Sequence, residues 1–254
     1  MSRAAQIVVL NIGKKEIEQQ IYFEEILNNM DICFAQFQKR DLEYIKNNYY
    51  KTVRFLCTIS QRTKTEIVTG LLYRSVSNRV IEQSIYINAL GKIKGCVSKK
   101  FDGKQLSHME QFDVFETTVG VIGIVLGKDL WNVEIPRIMS LKGAELIFAS
   151  DIRLQDNECE EEYIRGIAIY NLLNIIYCRQ EDNLTKLIYA TPKNDFIKDN
   201  LTEVKFKDYV IDMGIVEDIR KPDLSFKHTM WWLLHGRKPK MYEEILNPFN
   251  SDIN

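Results

Sequence analysis

The stretch Gly120–Ala149, GVIGIVLGKDLWNVEIPRIMSLKGAELIFA, joins a strand, a helix and a second strand in immediate succession. The apolar run Val119–Leu126 predicts the first strand, and apolar residues at helical spacing after Asp129 predict the helix. Gly143 is the expected C-terminal stop of that helix, and Glu145–Ser150 returns as a strand. Strands and helices in this proportion predict a layered α/β fold rather than a helical bundle or an all-β sandwich.

The rest of the chain alternates short apolar runs with amphipathic stretches. Gly91 stands at the turn between two such runs, which predicts a β-hairpin. The other predicted strands are Gln6–Asn11, Asp31–Phe37, Glu66–Leu72, Ile81–Asn88, Lys92–Val97, Gln111–Phe115, Asn174–Arg179, Leu187–Ala190, Asp195–Ile197 and Val204–Met213, and the other predicted helices are Glu16–Met30, a broken helix over Leu42–Tyr50 and Val53–Arg62, and Glu160–Leu173. No linker rich in Pro, Gly or Ser interrupts the chain, so we expect a single domain over residues 1–254.

Charge and composition are those of an ordinary globular protein. The 254 residues carry 34 basic and 35 acidic side chains, and neither sign forms long blocks. A nucleic-acid-binding protein usually gathers a surplus of positive charge on one face, so no nucleic acid is expected as a partner. No segment approaches the ~20 apolar residues that a membrane span requires, so no membrane is expected either.

The five cysteines, Cys33, Cys57, Cys96, Cys159 and Cys178, are scattered and lack paired metal-ligand spacing. This pattern favours free thiols in a reducing compartment, and we expect a cytoplasmic protein. Two histidines near the C-terminus have no third ligand at metal spacing, so neither a metal nor another cofactor is expected.

The segment Gly120–Ala149 resembles the nucleophile region of the nitrilase (carbon–nitrogen hydrolase) superfamily. In that family a strand ends in a Cys, followed by an aromatic residue, an Asp, and a helix that runs through Glu and Arg to Leu-Lys-Gly-Ala. The residues in register with this pattern are Gly120, Gly123, Asp129, Glu134, Arg137, Leu141, Lys142, Gly143 and Ala144. Gly127 stands where the nucleophilic Cys should be.

Other segments are similar to the same family in the same order. Ala35 and Gln36 stand in place of the family's Pro-Glu pair, and the hairpin arm ending in the family's catalytic lysine places that lysine at Lys99. A later helix resembles the family's Arg-Ala-x-Glu-Asn helix, with Tyr170 replacing its Glu. The family's closing pattern is matched by Val210, Ile211, Asp212, Arg220, Arg237, Lys238, Pro239 and Tyr242.

The resemblance implies a chemistry that this chain has largely lost. In the family a Cys thiolate attacks an amide or nitrile carbon, a Glu acts as general base, and a Lys stabilises the developing negative charge. Gly127 offers no nucleophile, and Gln36 cannot take up and return a proton near neutral pH. Lys99 alone survives of the three vestigial triad positions. Because such groups act as a unit, the resemblance predicts a protein that is inactive as a thiol amidase or nitrilase.

Four further residues are candidates for the pocket around Lys99. Glu110 lies where the family places a second pocket Glu and would pair with Lys99. Lys128 directly follows Gly127, which stands in the nucleophile's place. Asp129 and Glu134 are the acidic residues of the family motif. Acidic groups near a helix N-terminus are stabilising in any case, so we interpret these two as helix-start and packing residues rather than catalytic ones.

The resemblance implies a four-layer α-β-β-α sandwich with two stacked mixed sheets. It also implies a dimer or higher oligomer, with apolar contact from Trp131, Tyr163, Ile164, Trp231 and Trp232. We expect the protein to act by binding, either to a small molecule in the vestigial pocket or to a catalytic or biosynthetic partner protein. The alternative is a divergent carbon–nitrogen hydrolase-like enzyme that acts on a small amide or related substrate without a Cys nucleophile.

Overall fold

Alternation of side chains along the strands divides the molecule into layers. The computed structural model describes residues 3–13, 20–70, 72–76, 79–101, 112–151, 159–181, 184–202 and 206–214. In the first strand Ala5, Ile7 and Val9 face one hydrophobic cluster, whereas Val8 and Leu10 face another. Because successive strand side chains point to opposite faces, this sheet is buried on both sides.

The strands form two sheets. Their bounds are β1 (Ala4–Ile12), β2 (Ile32–Phe37), β3 (Glu66–Thr69), β4 (Leu72–Val76), β5 (Arg79–Ile87), β6 (Ile93–Phe101), β7 (Val114–Glu116), β8 (Val121–Leu126), β9 (Leu146–Asp151), β10 (Asn174–Gln180), β11 (Leu184–Ala190), β12 (Phe196–Thr202) and β13 (Phe206–Asp212). Sheet A has the order β13-β1-β2-β3-β5-β4 with β6 also paired to β5, and sheet B has the order β12-β11-β10-β9-β8-β7.

Both sheets are mixed. In sheet A the β1–β2 and β2–β3 pairs are parallel, and the β5–β6 pair is antiparallel. In sheet B the β8–β9 and β9–β10 pairs are parallel, while β7 and β11 pair antiparallel at the two sides of this core. The rings of Phe34 in sheet A and Phe148 in sheet B lie 4.8 Å apart between the sheets.

Helices cover the outer faces. They are α1 (Gln20–Leu27), α2 (Leu42–Asn47), α3 (Tyr49–Thr63), α4 (Glu134–Leu141) and α5 (Glu160–Asn171), with short 3-10 turns at Lys39–Asp41 and Gly127–Trp131. The first three helices bury apolar residues such as Leu27, Ile45 and Ile59 against sheet A. The last two bury Ile135, Met139 and Ile164 against sheet B. The predicted four-layer α-β-β-α sandwich is confirmed.

Most predicted elements are present, and the exceptions have local causes. The helix expected directly after Asp129 begins at Glu134, because Asn132 has an extended backbone (φ −84°, ψ 108°) that separates the 3-10 turn from α4. Pro136 then lies in the first turn of α4. Backbone N–H groups of the first turn have no acceptor within the helix, so the N–H that proline lacks costs no helical hydrogen bond. The strand expected at Glu66–Leu72 is divided in two at Gly70.

Several predictions fall outside the described residues, including Glu110 and the C-terminal Trp231 and Trp232. The extent of the domain over residues 1–254 therefore stays a prediction. Among the described residues, no helix combines the length and the apolar character needed to cross a membrane.

Candidate active site

The end of β8 forms a tight elbow at Gly127. This residue has φ +54°, in the left-handed region that favours glycine because other residues bring their Cβ too close to the backbone there. A Cβ at this position would lie 2.9 Å from Lys99 Nζ and 3.4 Å from Asp151 Oδ1. The Cβ of a catalytic cysteine at this position would therefore lie next to one ammonium and one carboxylate.

Lys99 reaches this elbow from sheet A. Alternation along β6 puts Lys99 on the same face as buried Val97, whereas Ser98 between them is exposed. The Nζ of Lys99 donates a hydrogen bond to the carbonyl oxygen of Leu126 at 3.1 Å and lies 3.9 Å from Asp129 Oδ2. The side chain of Lys99 is only 11% exposed, so this is a buried cation and not a solvated lysine on a hairpin edge.

Glu82 is the carboxylate nearest to Lys99 among the ion pairs described, with 3.3 Å between Oε2 and Nζ. The two residues are Cα partners across β5 and β6. Their register depends on a shift between Tyr86 and Ile87, which accommodates Lys94 as an extra residue on β6. Without that shift Glu82 would lie opposite outward-facing Ser98, which is why the hairpin turn alone did not identify it.

Burial raises the pKa of Glu82 above its ordinary value, and the positive charge and hydrogen bond of Lys99 offset part of that rise. The negative charges of Asp151 and Asp129 raise it further. The folded protein therefore holds the proton of Glu82 more tightly than a free carboxyl group would. Perturbed carboxyl groups of this kind are typical of functional sites, although structural ion pairs produce them too.

Gln36 occupies the third vestigial position and is fully buried. Its Oε1 accepts hydrogen bonds from Ser150 Oγ at 2.8 Å and from Gln180 Nε2 at 3.3 Å. Ser150 is the Cα partner of Leu126, the residue before the elbow, so this bond ties Gln36 to the region of Gly127. Within the described part of the chain, Gln36 Nε2 has no hydrogen-bond partner.

A buried polar network continues from the elbow to α5. The hydroxyl of Tyr177 lies 3.3 Å from Asp151 Oδ2 and 2.8 Å from Oε1 of Glu160, in the first turn of α5. Arg179 then pairs with Glu160 at 2.9 Å and with Glu181 at 2.7 Å. Sequence reasoning missed Asp151 and Tyr177, since Tyr177 lies within an apolar run and Asp151 follows directly after one.

The remaining predicted pocket residues are placed as follows. Asp129 is buried beside Lys99, so its part in the site is larger than the helix-start interpretation allowed. Glu134 is exposed at the first turn of α4, as that interpretation expected. The side chain of Lys128, and all of Glu110, lie outside the described residues. A separate surface cavity of about 410 Å³ is lined by Tyr50, Lys51, Arg54, Phe55 and Thr58 of α3, away from the elbow.

None of the five cysteines takes over the nucleophile's place. None of the five forms a disulfide, and Cys33 and Cys178 are buried in the core. Burial raises the pKa of these two thiols and of Cys57, which disfavours the reactive thiolate. Cys96 and Cys159 are exposed on the surface.

The elbow, the hairpin lysine and the strand that carries Gln36 all lie within one matched segment. A family model described as carbon-nitrogen hydrolase matches residues 32–163, just over half of the chain. The chain belongs to the carbon–nitrogen hydrolase family. A citrullinase from Francisella tularensis subsp. tularensis (strain SCHU S4 / Schu 4) is 24% identical over 186 residues, which is 64% of this chain and 64% of that protein. The chain thus matches less than two thirds of that relative's length.

Solved structures of carbon–nitrogen hydrolases share the fold. A carbon-nitrogen hydrolase from Helicobacter pylori G27 has a TM-score of 0.75 at 17% identity, covering 96% of this chain and 98% of its own. Saccharomyces cerevisiae Nit3, a member of branch 10 of the nitrilase superfamily, gives 0.69 at 14% identity, covering 90% and 97%. An amidase from Nesterenkonia sp. gives 0.67 at 11% identity, covering 91% and 97%. At these identities the likeness extends to the fold alone.

The arrangement around the elbow can hold charge and donate hydrogen bonds, but it has no thiol to attack a carbonyl or nitrile carbon. Among the residues that the structure describes, the charged groups around the elbow are the ammonium of Lys99 and the carboxyl groups of Glu82, Asp129 and Asp151. Such a carbon–nitrogen hydrolase site can bind polar groups. Residue 127 has no nucleophilic side-chain atom that could form a covalent acyl intermediate.

Proposed function

We propose that this protein is a carbon–nitrogen hydrolase family member that acts by binding and is inactive as a thiol amidase or nitrilase. The observation that carries the proposal is Gly127 at the elbow, with the ammonium of Lys99 2.9 Å from the position of its absent Cβ. A glycine has no nucleophilic atom, and the carboxamide of Gln36 cannot act as a general base near neutral pH.

The bound molecule, in this proposal, is a small compound with an amide or ureido group, or else a catalytic partner protein. The name of the citrullinase relative supports the first choice, because citrulline carries a ureido group. The buried N–H of Gln36 supports it too, since this donor lacks a partner among the described residues and would suit a ligand carbonyl. We further propose a cytoplasmic homodimer.

A screen for turnover and binding tests the proposal directly. We expect no hydrolysis of simple amides, aliphatic nitriles or citrulline by the purified protein, measured as ammonia release. Thermal shift should show stabilisation by at least one amide or ureido compound, or co-purification should recover a partner subunit. Turnover of an amide at a rate typical of enzymes would overturn the proposal.

A second candidate function is hydrolysis of a small amide without a covalent intermediate. The contact that favours it is the 3.3 Å approach of Glu82 to Lys99, because a carboxylate of raised pKa can accept a proton from water while the ammonium polarises a carbonyl. It would use Lys99 and Asp129, with Glu110 as a further group. Any turnover found in the screen should then disappear in both Glu82→Gln and Lys99→Met.

Restoring the nucleophile alone should not restore an enzyme. Gly127→Cys supplies a thiol, but its proton must still be removed and the leaving group protonated, and Gln36 does neither. We expect an acyl-enzyme adduct only in the double variant Gln36→Glu with Gly127→Cys, seen by intact mass spectrometry and located by peptide mapping.

Lys99→Met in the double-variant background is the matched control, and it should abolish the adduct. An adduct in the single Gly127→Cys variant would show that another carboxylate, Glu82 or Glu110, already serves as base. No adduct in either variant would mean that the pocket is closed to small amides and would favour the partner-protein form of the proposal.

A further inference from the structure

The ammonium of Lys99 lies beside the position where a side chain at residue 127 would begin. A Cβ built on Gly127 meets Lys99 Nζ at 2.9 Å and Lys99 Cε at 3.9 Å. Real Cβ atoms essentially never approach a neighbouring heavy atom to less than 3.0 Å. This ammonium is the far end of a flexible side chain, so a small shift of Lys99 would admit a side chain at position 127.

The groups around that ammonium are acceptors. A carbonyl oxygen and two carboxylate oxygens, from Leu126, Glu82 and Asp129, lie 3.1, 3.3 and 3.9 Å from Nζ. An ammonium has three N–H donors and no acceptor, so a surrounding of oxygen acceptors suits it. A carbonyl oxygen from an amide would meet oxygen atoms at the same place, and these repel it.

The acceptors come from both sheets. Glu82 belongs to β5 of sheet A, whereas Leu126 ends β8 of sheet B and Asp129 lies in the 3-10 turn that follows it. The Lys99 side chain crosses from β6 of sheet A to reach this turn. One buried charge thus connects the two sheets at the elbow.

We propose that the elbow has become an ammonium-binding site, in which Lys99 is the intramolecular occupant and clamps sheet A to sheet B. The site would accept a primary alkylammonium group in preference to a neutral amide. This inference goes beyond the proposed function, since it concerns the groups that hold the Lys99 ammonium whether or not an amide or ureido ligand binds.

Removing the occupant and supplying it from solution tests the inference. Lys99→Ala deletes three methylene groups and the ammonium, and n-propylammonium chloride replaces those atoms. We expect Lys99→Ala to lower Tm by roughly 6 °C or more, because one partner of a buried ion pair has been removed. Millimolar n-propylammonium should recover at least half of that loss, while butyramide and an equal concentration of NaCl should not.

Lys142→Ala is the matched control. Its ammonium lies at the surface, 2.8 Å from the carbonyl oxygen of Phe112 and 3.6 Å from Asp113, and the side chain is 46% exposed. We expect this variant to keep its Tm and to show no response to n-propylammonium. A Lys99→Ala protein as stable as the wild type would overturn the inference. So would a loss that n-propylammonium does not reverse, or one that butyramide reverses equally well.

The wild-type protein supplies a second measurement if Lys99→Ala does not fold. Reductive methylation followed by peptide mapping reports how accessible each lysine ammonium is. Lys99 should be modified at least about 10-fold more slowly than Lys142, because its buried ammonium is reached only through local opening. Equal modification rates for Lys99 and Lys142 would overturn the inference that Lys99 clamps the two sheets. A result that overturns this inference would not affect the proposed lack of thiol chemistry, because that proposal rests on Gly127 and Gln36.

Discussion

At the scale of single residues, the main feature of the site is the ion pair between Glu82 and Lys99. Glu82 lies against a lysine whose ammonium is also held by a backbone carbonyl, and two further carboxyl groups lie close enough to act on its charge. Burial disfavours the charged form of a carboxyl group, and a neighbouring cation favours it. For Glu82 burial is the larger effect, so the folded protein holds this proton more tightly than an unfolded chain would.

The pH dependence of stability should reveal this raised pKa. The contribution of protonated Glu82 is fully present below its ordinary pKa of 4.5 and is lost as pH rises through the higher pKa of the folded state. Glu82→Gln cannot titrate. We therefore expect the Tm of the wild type minus that of Glu82→Gln to be largest near pH 4 and to shrink toward neutral pH. Glu25→Gln, at an exposed position, should leave the profile unchanged. A difference that grows with pH would contradict the prediction.

At the scale of elements, the hairpin and the elbow show what the sequence could and could not predict. The Gly91 turn and its two arms were predictable, because turn residues and apolar runs are local signals. The place of Gly127 at the end of β8 was also predictable, since the apolar run Val119–Leu126 ends directly before it. The register shift near Tyr86 was not, because neither a turn residue nor an apolar run marks it in the sequence. Glu82 was missed for that reason.

The contact between sheet B and α5 is a second element-scale feature without a sequence signal. Tyr177 has one hydroxyl proton and lies between two carboxyl groups, those of Glu160 and Asp151. Glu160 is in turn paired with buried Arg179. The hydroxyl therefore joins the first turn of α5 to the strand that ends beside the elbow.

Tyr177→Phe tests the value of that hydroxyl. The ring volume is kept and one hydrogen bond to a charged group is removed, so we expect a loss of about 1–3 kcal/mol in the free energy of unfolding by denaturant. Tyr170→Phe on the surface of α5, where the side chain is 62% exposed, is the control and should change stability by less than ~0.5 kcal/mol. Equal effects in the two variants would argue against a role for the network.

At the scale of the whole molecule, three exposed apolar side chains lie in or beside α4 and α5 on the outer side of sheet B. Val133, Leu141 and Tyr170 are 62%, 51% and 62% exposed. The bond from Ser140 Oγ to the carbonyl oxygen of Asn171 brings the ends of the two helices together. Of the residues predicted for a dimer contact, Ile164 is fully buried in its own core and cannot contribute. Trp131 and Tyr163 stack on each other at 4.3 Å between ring centroids.

Oligomeric state tests whether this face is an interface. We expect the wild-type protein to be a dimer by light scattering at micromolar concentration, with these exposed apolar side chains in the contact. Tyr170→Glu should shift the mass to that of a monomer by placing a charge in the contact. Leu90→Glu, at the equally exposed tip of the β5–β6 hairpin, should leave the mass unchanged. A monomeric wild type would refute the prediction.

The register shift in the β5–β6 hairpin has a consequence for how this lineage can change. The partner of Glu82 is set by counting residues from the turn, so the insertion of one residue between the turn and Lys99 would place outward-facing Ser98 opposite Glu82. Substitutions elsewhere in the arms leave that count intact. Selection on this ion pair should therefore tolerate substitutions in the hairpin and oppose insertions and deletions within it. A hairpin of different length in a related protein would indicate that this arrangement of charges has been lost.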